Sequence, residues 1–177
     1  MWKNLIPFNQ SDLNLEFRSK AWVEAKVLKV AFELKGDLSN ILLPKPLVNP
    51  SRVIGLWEST CFEMFVKNSS GDEYFEFNVS SAYNWNLFYF PSIKARLKEY
   101  TNISNLAVSA VKKEDSFCLK FWIALDKFPS GFWESDNMKI GLTAVIENKT
   151  GPLSYWALAH KEDKPNFHHM DSFIFEL

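Results

Sequence analysis

The 177-residue chain carries 20 Lys and Arg against 21 Asp and Glu, a formal charge of −1. That balance offers no basic field to nucleic acid or to an anionic membrane surface, so neither is expected as a partner. Aromatic residues make up 16% of the chain, including 16 Phe and 7 Trp, which calls for a broad packing layer or a stacking surface.

Nowhere do about 18 consecutive apolar residues occur, and MWKNLIPFNQ at the start lacks an apolar run of signal-peptide length. The expectation is a cytoplasmic chain forming a single domain over residues 1–177. In that setting Cys61 and Cys118 are expected as separate thiols rather than as a disulfide.

Period-two alternation dominates, so the chain reads as mostly β. Leu13, Leu15 and Phe17 alternate with polar residues, and AWVEAKVLKVAFELKGD follows with a slip of register. Val23, Ala25 and Val27 lie on one parity and Val30, Phe32 and Leu34 on the other, which predicts a bulge or tight hairpin near Leu28. The three prolines of LLPKPLVNPSR exclude a helix interior or a central strand and predict an extended connection.

CFEMFVKNSSGDEYFEFNVS is the clearest hairpin, with turn chemistry in Asn-Ser-Ser-Gly-Asp. WNLFYF, LAVSAVKK, FCLKFWIAL, KIGLTAVIE, LSYWALA and SFIFEL read as further strands; only PSIKARLKEY has the makings of a short helix. About nine to eleven short strands separated by turns predict an antiparallel β-sandwich or jelly roll.

Within the hairpin, Phe62, Met64 and Val66 share a parity with one another, as do Phe75, Phe77 and Val79, and both sets should face the core. Cys61, Glu63 and Phe65 then share the other face with Tyr74, Glu76, Asn78 and Ser80. A turn centred on Ser69 and Ser70 would set Glu63 opposite Glu76 and Cys61 opposite Asn78. Opposed like charges cost a few tenths to about 1 kcal/mol, which a cation, a proton or a hydrogen-bonding ligand would relieve. Trp57 precedes the hairpin and Trp85 follows it, so both are placed to flank the polar face, an arrangement suited to a small ligand such as a sugar. The alternative for either tryptophan is a plug at the end of the sandwich.

All three histidines, His160, His168 and His169, lie in YWALAHKEDKPNFHHMDSF together with Asp163, Asp171 and Met170. Their spacing matches neither a knuckle pair nor an i, i+4 helical pair of metal ligands. Haem ligation by His169 and Met170 is disfavoured because adjacent residues of an extended chain point to opposite sides. No G-x-S-x-G is present for nucleophilic catalysis. Hydrogen bonding by His160 and His168 between the last strands and their loop, at the rim of the polar face, accounts for the cluster without a metal.

GLWESTCFEMFV, YFEFNVS, GLTAVIE and SYWALAHKEDKPNFHHMDSFIFEL together resemble DOMON-like proteins related to family 9 carbohydrate-binding modules, over roughly residues 13–177. The resemblance implies an antiparallel β-sandwich of jelly-roll type with a ligand site on its concave face. It directs attention to Trp57, Cys61, Glu63, Glu76, Asn78, Trp85, Tyr155, Trp156, His160, Phe167 and His168. Two departures stand out. Asn166 replaces an acid in the PNFH segment, against a metal there, and the strand pair before the prolines is short, predicting an irregular sandwich edge at residues 21–34.

The expected protein is therefore a non-catalytic module that binds a saccharide or similar polyol, without cofactor or resident metal. Its expected ligand contacts are Trp57, Glu63, Glu76, Asn78, Trp85, Tyr155, His160 and His168. The alternative is a metal-dependent enzyme, or a haem- or metal-binding protein, using the C-terminal histidine loop. Exposed edge strands make a homodimer the one protein partner to expect.

Overall fold

The computed structural model describes residues 1–9, 14–68, 71–93, 95–133 and 137–177. In chain order its strands are β1 (Lys3–Asn4), β2 (Ile6–Pro7), β3 (Leu15–Glu24), β4 (Val27–Gly36), β5 (Cys61–Asn68), β6 (Tyr74–Ser80), β7 (Trp85–Phe90), β8 (Ala107–Lys112), β9 (Ser116–Ala124), β10 (Met138–Glu147), β11 (Leu153–Ala157) and β12 (Phe175–Glu176). They make an all-β antiparallel sandwich. The first sheet runs β1-β3-β4-β9-β8 and the second β2-β11-β10-β5-β6-β7, with β12 pairing the start of β10.

Alternation decides which side chains meet between the sheets. Leu28, Val30, Phe32 and Leu34 from β4 and Leu119 and Phe121 from β9 pack against Phe62, Met64, Val66, Phe75, Phe77 and Val79 of the β5–β6 hairpin. Phe32 lies 5.5 Å from Phe62, and Phe77 stacks on Phe121 at 5.9 Å, tying sheet to sheet. Each such side chain contributes roughly 1.5–3 kcal/mol through its burial.

The register slip is a hairpin. β3 and β4 pair from Leu15↔Gly36 to Glu24↔Val27, leaving Ala25 and Lys26 as a two-residue turn with φ of 50° and 59°. Left-handed backbone at both positions matches the right-handed twist of the strands. The pair is ten residues long on each side, and β4 sits between β3 and β9 in mid-sheet, so the irregular edge expected at residues 21–34 is a regular interior ladder. Leu13 lies outside the described residues.

No helix forms over the described part of PSIKARLKEY, of which Lys94 is not described. The chain there is drawn out along β7: Tyr89 N–H donates to Lys98 O at 2.9 Å and Tyr100 N–H to Leu87 O at 2.7 Å. Edge pairing outcompetes a helix that has few apolar positions to bury. Cys61 and Cys118 lie on strands of different sheets and are both free thiols. No helix among the described residues is long and apolar enough to cross a membrane.

Candidate functional site

The outer face of the second sheet, away from the first, gathers the polar parity of the hairpin. Pairing runs Glu63↔Asn78 and Phe65↔Glu76, with Lys67 opposite Tyr74. This corrects the expected Glu63–Glu76 and Cys61–Asn78 oppositions, because the pairing is centred one residue later than a turn on Ser69 and Ser70 implies; those two serines lie outside the described residues. A shift of two positions in partner preserves parity, so the same side chains still share the face. The carboxylates become diagonal neighbours with Asn78 between them in register.

Each carboxylate is tied down from one side. Asn78 Nδ2 donates to Glu76 Oε1 at 2.7 Å, and Thr143, opposite Glu63 on β10, donates from Oγ1 to Glu63 Oε2 at 3.2 Å. Glu63, Glu76, Asn78 and Thr143 are 2%, 4%, 0% and 2% exposed. Two chain segments cover them. Gly55, at φ 84°, turns the chain into the 3-10 turn Leu56–Glu58 and so presents Trp57, whose ring meets Phe88 edge-on at 5.9 Å. From the other side Phe173 stacks on Phe65 at 5.4 Å and lies directly over Gly141, where a Cβ would meet its ring at 2.7 Å. Phe65, Tyr74, Phe88, Phe90 and Phe173 thereby form a second apolar cluster, with Trp57, Phe167 and Met170 packed on it.

His168 closes this cluster. Its ring stands edge-on to Phe65 and Phe90, 5.3 Å from each; its Nδ1 is 2.8 Å from the Tyr74 hydroxyl, and its Nε2 is 3.8 Å from Glu76 Oε2. Between the covering segments and the sheet lies a pocket of about 260 Å³. Glu63, Glu76 and His168 line it with the rings of Trp57, Tyr155 and Phe167, and Leu97, Val145, Pro165 and Asn166 complete the lining. Tyr155 and Phe167 meet at 6.1 Å.

Burial governs the charge state of the site. Loss of water raises the Glu76 carboxyl to about 7, against the opposing pull of the Asn78 hydrogen bond. Burial and then the proximity of Glu76 push Glu63 well above the usual carboxylate range. Tyr74 is raised by burial and by Glu76, and His168 is lowered by burial, so the histidine is no ready counter-cation. Cys61, beneath the floor with its Sγ 3.6 Å from Asn78 Oδ1, is held as a thiol by burial and by Glu63. Glu76 Oε2 is left over: it is buried and has no hydrogen-bond partner among the described residues.

Of the residues expected at the site, Trp57, Glu63, Glu76, Tyr155 and His168 come together around the pocket, and Asn78 lies beneath it. Trp85 does not join them. It pairs with Val79 on the inward parity, is 2% exposed in the main core, and is capped by the Arg52 guanidinium at 4.2 Å. The sequence hid this because both parities of WNLFYF carry large rings, with Asn86 the one polar residue. His160 is not in the lining: its Nε2 is 3.0 Å from Ile6 O and its ring is edge-on to Phe8 at 5.2 Å, with the pocket wall Phe167 6.4 Å away. His160 and His168 thus have different partners, which speaks against the alternative of a metal held by the histidine loop. No group of three or more His, Cys, Asp or Glu among the described residues is placed to hold a metal. Met170 packs on the second cluster, and His169 Nδ1 accepts the Asp171 N–H at 3.3 Å. Sequence reading missed Thr143 and Leu97. The register of β10 against β5 exposes the first, and nothing in the sequence points to the second.

Fold and site define a two-sheet β-sandwich with a ligand-sized, aromatic-walled pocket on the outer face of one sheet. No protein-family model matches the chain, and no curated protein matches it in sequence. Solved structures do share the fold. A proposed carbohydrate-binding protein from Bacteroides uniformis is similar at a TM-score of 0.74 and 15% identity, over 97% of this chain and 83% of that one. Two structures of a family 9 carbohydrate-binding module from Caldicellulosiruptor kristjanssonii are similar as well. The complex with glucose has a TM-score of 0.56 and 12% identity, covering 99% of this chain and 82% of that one. The complex with cellotriose has 0.53 and 10%, covering 89% and 72%.

Proposed function

We propose that the protein is a non-catalytic binding module, of the DOMON-like kind, that takes a saccharide or similar polyol in the pocket on the outer, concave face of its second sheet. Residues 1–177 would form one such domain, since the main core draws side chains from both sheets. The observation that carries the reading is the pairing of aromatic walls with a polar floor: Trp57, Tyr155 and Phe167 around the buried carboxylates of Glu63 and Glu76. Rings of this kind stack on the apolar faces of a pyranose while fixed carboxylates accept from its hydroxyls. A pocket of about 260 Å³ lies below the size range of drug-like sites, which suits one sugar ring rather than a chain of them. The modules of known complex with the same fold bind glucose and cellotriose, in keeping with this reading.

Isothermal titration against a panel of monosaccharides and disaccharides tests it. One-to-one binding is expected, weakened at least tenfold in Trp57→Ala and in Glu63→Gln while both variants keep the wild-type circular dichroism. Wild-type protein that takes up no saccharide at millimolar concentration, or variants that bind as tightly as wild type, would overturn the assignment.

A further inference from the structure

We propose that the pocket selects a ligand bearing a protonated amine, which within the saccharide reading above means an amino sugar. The inference rests on that reading for the ring and adds the charge. Its starting point is the imbalance of the cavity: two carboxylates line it, and none of its described lining residues is Lys or Arg. Glu76 Oε2 is the decisive atom. It belongs to a side chain that is 4% exposed and lines the cavity, is itself buried, and finds no hydrogen-bond donor among the described residues.

The groups nearby do not supply the missing donor. Asn78 is spent on Glu76 Oε1 and Thr143 on Glu63. His168 Nε2 stands 3.8 Å from Oε2, beyond hydrogen-bond reach, and its other nitrogen is engaged with Tyr74. An uncompensated buried carboxylate is costly, and the fold answers by holding the proton, as the raised Glu76 shows. A site that favours the protonated carboxyl when empty is matched by a ligand that brings positive charge and donors of its own.

The walls narrow the kind of cation. Trp57, Tyr155 and Phe167 line the cavity with aromatic rings, whose faces attract an ammonium through their quadrupoles. Calcium or magnesium needs six or so oxygen ligands, which aromatic walls do not provide, and no group of three or more His, Cys, Asp or Glu among the described residues is placed to hold a metal. An ammonium has three N–H donors, enough for Glu76 Oε2 and the neighbouring Glu63 carboxylate, while the carbon skeleton that carries it lies against the aromatic walls.

The test compares matched sugars on the wild-type protein, so that no variant has to fold for it to speak. Glucosamine, galactosamine and mannosamine are titrated beside glucose, galactose and mannose and beside their N-acetyl forms, with ethanolamine and methylammonium as ammonium probes lacking a ring. At least one amino sugar is expected to bind about tenfold tighter than its hydroxyl counterpart, with the preference lost on N-acetylation and in Glu76→Gln. Hydroxyl sugars that bind as tightly as their amino counterparts overturn the ammonium inference and leave the saccharide reading standing. Binding of the ring-free ammonium probes without any sugar sustains the cation selection and overturns the saccharide reading. Silence from every probe overturns both.

Discussion

The outer faces of the two sheets handle charge in opposite ways. On the first sheet, Trp22, Lys29 and Trp122 stand in one cross-strand row, and Lys20 lies over both Trp2 and Trp22 at 4.8 and 4.4 Å. Arg18 pairs with Glu33 and Lys29 with Glu24, all beside open solvent, and Trp122 is 39% exposed. The second sheet carries Glu63 and Glu76 without Lys or Arg partners among the described residues, under a lid of aromatic rings. Nothing in the strands themselves separates the two cases. The difference is made by coverage: the first sheet's outer face is left to water, whereas residues 55–58 and 165–173 desolvate the other. Water and opposite charge make the first face tolerant of change, and their absence makes the second demanding.

Removing the lid should break this contrast most severely. Phe173 is 2% exposed and stacks on Phe65 above Gly141. Phe173→Ala is expected to cost about 3–5 kcal/mol through lost burial and the cavity left behind. Trp122→Ala, a larger truncation but on the uncovered face, should cost less than about 1 kcal/mol. Urea unfolding of the two variants decides between coverage and mere ring count as the stabilising factor. Equal losses would mean that the lid is a loose cover and not part of the core.

Titration sharpens the contrast next. The Glu76 carboxyl sits at about 7 in the fold and at 4.5 when exposed. Its raised value stabilises the fold fully below pH 4.5, and that contribution drains away as the pH climbs to about 7, about 3 kcal/mol in all. Glu63, raised for the same reason, works in the same direction. His168 opposes them: its lowered value means that its contribution is complete above pH 6.5 and declines below it. The net expectation is a fold markedly more resistant to urea at pH 5 than at pH 8, with Glu76→Gln flattening the slope. A wild-type profile already flat across this range would show that the carboxylates are wetted in solution.

How much of this was legible beforehand varies by residue. Period-two patterning gave the sandwich and the faces of the β5–β6 hairpin, because a core-facing parity of Phe62, Met64, Val66, Phe75, Phe77 and Val79 leaves no other folding of those strands. It also placed Glu63 and Glu76 on a common face, since a partner shift by an even number of residues cannot change sides. It could not give the partner itself, which depends on loop length around the turn. Trp85 was misplaced because β7 is buried on both sides and its pattern no longer distinguishes inward from outward. The depth of the site was invisible for a related reason: alternation reports which residues share a face, and coverage by a distant segment such as 165–173 leaves no periodic trace.

The smallest effect is the most direct probe of coverage. Arg18 and Glu33 form an ion pair on the first sheet with side chains 39% and 20% exposed, and they face each other in register across β3 and β4. A double-mutant cycle with Arg18→Ala and Glu33→Ala should return a coupling of about 0.2–1 kcal/mol, shrinking as salt is added from low ionic strength to 1 M, because solvent and ions already screen the pair. The same salt series applied to the pH-dependent contribution of Glu76 should leave it nearly unchanged, since its cost arises from lost hydration rather than from a screened partner. If both respond alike to salt, the pocket floor is as open to water as the sheet on the far side, and desolvation loses its place as the organising force of the site.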